Sequence, residues 1–152
     1  MTRGSRMLAS AAVLALFLAP AALAAQEPEL SAEERAAVEA SEAWLALIDT
    51  DRFEDSWNAA APVFQSALTA EMWVQQGQAV RQQVGEPRGR TLRTAEHTTS
   101  LPNAPAGEYV VVTYAGSFAN VPEVREVVIM MRQPDESWRV AGYFVQPPGA
   151  GE

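Results

Sequence analysis

The chain has no cysteine and no lysine, and only one histidine. Without cysteine there is no disulfide, no iron–sulfur cluster, no zinc–thiolate site, no cysteine nucleophile and no lipid-bearing cysteine of a bacterial lipoprotein. One histidine cannot furnish a usual zinc site either. Without lysine, the positive charge rests on 11 arginines against 19 acids, a formal net charge of −8. That balance opposes a general nucleic-acid binder, which needs a basic face. A Gly-x-Ser-x-Gly elbow, a phosphate loop and a Gly-x-Gly-x-x-Gly fingerprint are all missing, so no cofactor and no metal is expected. What is present suits one folded domain: 152 residues, 48% of them hydrophobic, with four tryptophans.

The first residues read as a leader. Arg3 and Arg6 precede an apolar run from Met7 to Ala19 that Pro20 breaks, and Ala22-Leu23-Ala24 follows. Charged start, short apolar middle and small-residue end describe a secretory signal peptide over residues 1–24, cleaved after Ala24 or Ala25. An uncleaved membrane anchor is the alternative, since Met7 to Ala25 is 19 residues, close to the roughly 20 that span a bilayer. Losing Arg3 and Arg6 takes the formal charge from −8 to −10. The expected place of the mature protein is the periplasm or the exterior, with no membrane after cleavage.

Residues 25–30 read as a tether. Ser31 and Glu34 then form a capping box. Ala37, Val38, Ser41, Trp44, Leu45 and Ile48 recur at helical spacing, which predicts a helix over about residues 32–49. Phe53, Trp57, Ala60 and Ala61 continue at helical spacing until Pro62, which stops that helix and opens a short turn with Val63 and Phe64. Thr69 is the next N-cap. Trp73, Gly77, Val80 and Val84 then form a stripe that Gly85 ends, predicting a third helix over about residues 70–84.

The period then changes to two. Strands are expected over about residues 90–99, 108–118, 124–132 and 138–146. A proline-containing loop from Leu101 to Gly107 and a hairpin at Pro134-Asp135-Glu136-Ser137 separate them. Residues 147–152 make a loose tail. Three helices followed by four meandering strands predict an α+β domain over about residues 31–146, with helices on a curved antiparallel sheet. That is the cone of the nuclear-transport-factor-2-like and cystatin-like group, which hosts enzymes and binders alike.

Several motifs sit along this frame. They are Trp44 with Asp49, Ser56-Trp57, Trp73 with Arg81 and Gly85, Arg90, Leu101-Pro102, Pro105, and Gly107-Glu108-Tyr109-Val110-Val111-Val112. Trp138-Arg139-Val140-Ala141-Gly142-Tyr143-Phe144 closes the set. On these residues the chain resembles a secreted bacterial family, domain of unknown function 4019. Asn103 stands where a turn glycine is expected, and Phe53 where a tyrosine is common. The resemblance implies a small exported domain and supplies no activity, cofactor or catalytic residue.

His97 alone has an unperturbed pKa between pH 5 and 8, and beside a carboxylate it could serve as a general base. In a Thr-rich strand it reads first as an exposed or half-exposed strand residue. The acids Asp49, Asp51, Glu54 and Asp55 fail as a calcium loop: counted from Asp49, Glu54 holds the glycine position and Ala60 the closing glutamate. Arg81 and Arg90 are expected to pair with Asp49 or Glu108 near the junction of helices and sheet, locking the third helix to the first; the alternative has Arg81 reaching an anionic ligand in the cavity. Trp73, Arg81, Tyr109 and Tyr114 are the candidate ligand contacts, although tryptophans at apolar positions are more often core. The leading reading is a non-enzymatic exported domain that binds an unknown small molecule or protein in a cavity between the first helix, the third helix and the sheet. The alternative is a small hydrolase or isomerase using His97 with a nearby carboxylate. The strand Val124 to Arg132 is apolar on both faces, which suggests a homodimer through the sheet face.

Overall fold

A computed structural model describes residues 29–149 of the chain. The expected leader (residues 1–24), most of the tether and the end of the tail lie outside the described residues. Four helices precede four strands: α1 (Ala32–Asp49), α2 (Phe53–Ala59), α3 (Pro62–Ala67), α4 (Ala70–Val84), β1 (Pro87–Thr98), β2 (Tyr109–Phe118), β3 (Val124–Arg132) and β4 (Trp138–Gln146). The domain is α+β, with helices against one antiparallel, curled sheet in the order β1-β2-β3-β4. No helix of the described residues is long and apolar enough to cross a membrane.

Local chemistry accounts for most boundaries. Ser31 Oγ accepts the Glu34 N–H at 3.2 Å, and Glu34 Oε2 accepts the Ser31 N–H at 2.9 Å, closing the capping box. Such a cap is worth about 0.5–2 kcal/mol. The Ser31 N–H also holds the Glu34 carboxyl below the usual range. Thr69 caps α4 through the Met72 N–H, and Gly85 ends it with φ at +79°. Pro62 differs from expectation: it starts a true helix, α3, because its missing N–H and fixed φ suit a first helical position. β1 also begins earlier, at Pro87, its register breaking between Pro87 and Gly89. Asn103 takes the left-handed backbone a turn requires, with φ at +60°, which asparagine tolerates better than most residues.

The buried face of α1 is Ala37, Val38, Ser41, Trp44, Leu45 and Ile48. It packs on Val110, Val112, Val128, Met130 and Val140 of the sheet. Trp44, Phe64, Trp73 and Tyr143 form an aromatic cluster, with ring centroids 5.1 Å apart for Phe64–Trp73 and 5.3 Å for Trp44–Tyr143. Buried Ser56 orders two of these rings: its carbonyl accepts from Trp44 Nε1 at 2.8 Å and its hydroxyl from Trp73 Nε1 at 2.9 Å. These bonds satisfy indoles that burial would otherwise penalise.

One helix is placed differently. α4 rests chiefly on α2, where the Phe53 ring lies against Gly77. A β-carbon at Gly77 would fall 2.5 Å from Phe53 Cδ1, so only glycine admits this approach. α4 is thereby propped away from β4 and leaves a space between them.

Candidate functional site

Two features occupy the helix-facing side of the sheet. The first is a polar clasp at the C-terminal end of α1. Asp49 accepts two bonds from Arg90, Nη1 to Oδ2 at 2.9 Å and Nη2 to Oδ1 at 3.0 Å. Arg90 Nε and Nη2 donate to Glu126 Oε2 and Oε1 at 2.7 and 3.0 Å. The Tyr143 hydroxyl donates to Glu126 Oε1 at 2.6 Å. One guanidinium on β1 thus holds carboxylates from α1 and β3, and β4 contributes the phenol. Tyr114 lies 6.0 Å beneath the guanidinium and shares a 2.6 Å hydrogen bond with Ser41 of α1.

Glu126 is 0% exposed, so these hydrogen bonds are what offsets the cost of burying its polar group. Burial would lower the Arg90 pKa, but the bonds to Asp49 and Glu126 outweigh it and hold it above its usual value. Burial pushes the Tyr143 phenol well up, and the Glu126 carboxylate adds to the rise. Tyr114 is raised by burial too. Room for Glu126 comes from Gly116 on β2, where a β-carbon would lie 2.6 Å from Oε2.

The second feature is an open cleft of about 330 Å³ between α4 and the sheet. Ile48, Phe53, Val80, Val84, Phe118 and Val145 supply most of its wall, with Trp73 and Tyr143 beside them. Three of its polar side chains are engaged already. Trp73 donates to Ser56, and Tyr143 to Glu126. Arg81 donates to Ile48 O at 2.6 Å, Asp51 Oδ1 at 2.8 Å and Gly85 O at 3.1 Å. A family model described as protein of unknown function, DUF4019, matches residues 40–143, a span that contains the whole clasp and most of the cleft wall. The chain belongs to that family. No curated protein matches it.

Within this DUF4019 domain the sequence-predicted residues separate into two groups. Trp73 and Arg81 line the cleft. Tyr109 and Tyr114 do not: both are buried, Tyr109 donates its hydroxyl to Pro105 O at 2.7 Å and Tyr114 belongs to the clasp. His97 is exposed on edge strand β1, paired with Val110, and its backbone N–H meets Glu34 Oε1 at 3.3 Å. It lines neither the cleft nor the clasp.

The expected arginine pairs are partly corrected. Arg90 takes Asp49, whereas Arg81 takes Asp51 and the end of α1, and Glu108 pairs with Arg132 instead. Asp51 wins Arg81 because the chain turns there with φ at +58°, bringing its carboxylate beside α4.

Glu126 escaped the sequence reading, which took β3 as apolar on both faces. Nothing local marks it: it shares a face with Val124, Val128 and Met130, and only strand pairing sets it opposite Tyr114 and near Gly116. Among the described residues no buried side-chain N or O lacks a partner, and no three His, Asp or Glu side chains gather to hold a metal. The cleft wall that remains is largely apolar.

Proposed function

We propose that this DUF4019 protein is an exported, non-enzymatic binding domain of the nuclear-transport-factor-2-like kind. Its ligand is a small, apolar, uncharged molecule seated between α4 and the sheet. The observation that carries this reading is the cleft itself: about 330 Å³, walled by Ile48, Phe53, Val84, Phe118 and Val145, with its one cation already committed to Asp51 and two carbonyls. Pockets that bind small molecules are mostly apolar with few polar groups and begin near this size, about 300 Å³. An anionic head group would have to displace the bonds that hold α4 to α1. The leader pattern of residues 1–24 and the absence of cysteine support export.

Native mass spectrometry of the exported protein tests both halves. A mature mass beginning at Ala25 or Gln26, with extra mass lost on denaturation, supports the proposal. For ligand class, the neutral fluorophore N-phenyl-1-naphthylamine should brighten on binding, and Val84→Arg should abolish the signal while circular dichroism stays unchanged. Equal fluorescence in wild type and Val84→Arg would remove the cleft as the site.

A further inference from the structure

The two edges of the sheet are built differently. β1 carries Pro87, Arg88, Arg90, Arg93 and Glu96 and breaks register twice, and Glu34 occupies the N–H of His97. Charge, proline, bulges and covering groups all discourage an edge from pairing with another chain. β4 has such protection only at its start. Arg139 is its one charged residue, the Val140 carbonyl accepts the Ala61 N–H at 2.8 Å, and register breaks once, opposite Ile129 and Met130. From Ala141 to Gln146 the strand has no charge and no proline.

The register shows which backbone groups that stretch turns outward. The Arg132 N–H bonds to Glu108 O on the β2 side, so even-numbered residues of β3 address β2 and odd-numbered ones address β4. Val127 and Arg125 therefore bond to Phe144 and Gln146, their partners in register. Tyr143 and Val145 turn their N–H and C=O groups away from β3, and among the described residues nothing bonds to them there. Two of the exposed large hydrophobics, Phe144 and Val80, lie near this same edge. Phe144 (49% exposed) lies on one face of the strand. Val80 (42%) lies across the cleft from the other, and Met72 (48%) sits two turns before it on α4. Apolar side chains on both sides of a row of open hydrogen-bonding groups suit an added strand.

We propose that β4 pairs antiparallel with β4 of a second copy across a twofold axis, over about Ala141 to Gln146, joining the two sheets into one. Antiparallel self-pairing brings no like charges opposite each other, because the stretch carries none. The interface is isologous, so it closes at two copies. The partner's strand also walls the open side of each cleft, beside Tyr143 and Val145. This holds whether or not the cleft takes a ligand.

Light scattering on the purified protein tests it. Val145→Pro removes an outward N–H that β3 does not use, so the domain keeps its sheet. The expected result is a dimer for wild type and a twofold lower mass for Val145→Pro, with unchanged far-ultraviolet circular dichroism. A monomeric wild type overturns the proposal, as does a Val145→Pro protein that stays dimeric. If Ile129→Glu halves the mass and Val145→Pro does not, the sheet face is the interface and the edge is not. Should Val145→Pro fail to fold, wild-type hydrogen exchange decides. The Tyr143 and Val145 amides should slow on the order of tenfold between dilute and concentrated protein, and no slowing overturns the edge pairing.

Discussion

The clasp and the cleft lie over the same face of the sheet and are packed in opposite ways. At the clasp, α1 packs against β1 and β3, and a hydrogen-bonded network joins them: Asp49, Arg90, Glu126 and the Tyr143 hydroxyl. At the cleft, α4 is held off β4 by the Phe53 ring under Gly77, and the space is apolar and open. A buried ion pair gains little net stability, since desolvation offsets attraction, but it fixes one register because any slip leaves a charge unpaired. An apolar gap costs the dispersion contacts its lining forgoes, and those contacts are what a ligand restores. Tyr143 belongs to both regions, its hydroxyl in the clasp and its ring in the cleft wall.

The largest expected effect is at Arg90. Arg90→Met leaves the fully buried Glu126 and its neighbour Asp49 without their cation, and urea denaturation should show a loss of about 3–5 kcal/mol. A loss below about 1 kcal/mol would mean the clasp is solvated in solution.

Tyr143→Phe should cost about 1.5–3 kcal/mol, as expected for a bond to a charged acceptor. It also carries a pH signature. The folded pKa of Tyr143 lies above the unfolded value of about 10, so its contribution is complete below pH 10 and falls as pH rises toward the folded pKa. Stability curves from pH 8 to 11 should therefore decline for wild type and decline less for Tyr143→Phe. Parallel curves would show that the phenol is not held neutral by the clasp.

On the cleft side, Gly77→Ala drives a methyl into the Phe53 ring and should cost about 1–3 kcal/mol through overpacking. Adding Phe53→Leu should recover much of it, and this coupling distinguishes a steric effect from a change in helix propensity. His97→Ala gives the smallest expected change. The residue is exposed and outside both regions, so stability should stay within about 0.5 kcal/mol and fluorophore binding should not change. A lost signal there would place function at the β1 edge and reopen the acid–base reading.

Legibility in the sequence followed the range of the interactions. The capping box at Ser31 and Glu34, the six-residue face of α1, the Thr69 cap and the Gly85 stop were readable because each rests on groups within a few residues of one another. The Asp49–Arg90 pair was one of several open choices, since nothing local distinguishes Asp49 from Glu108 as a partner. Glu126 was unreadable as a site residue. Its importance comes from burial opposite Tyr114 and beside Gly116, and pairing register decides that. Tyr109 and Tyr114 resembled ligand contacts because a tyrosine in a strand presents the same pattern whether its hydroxyl meets Pro105, Ser41 or a ligand.

Helices before strands, the apolar stripe of α1, the antiparallel meander and the lack of any thiol were legible in the sequence alone, whereas α3 read only as a short turn. Those follow from periodicity, caps, short connections and composition, which act locally or need no geometry. Only the tertiary structure decided which arginine meets which acid, that Phe53 under Gly77 props α4 open, and that β4 carries the less protected edge. These depend on contacts between residues 24 to 41 positions apart, such as Phe53 with Gly77 and Asp49 with Arg90, where the curl of the sheet and the tilt of each helix set the distances.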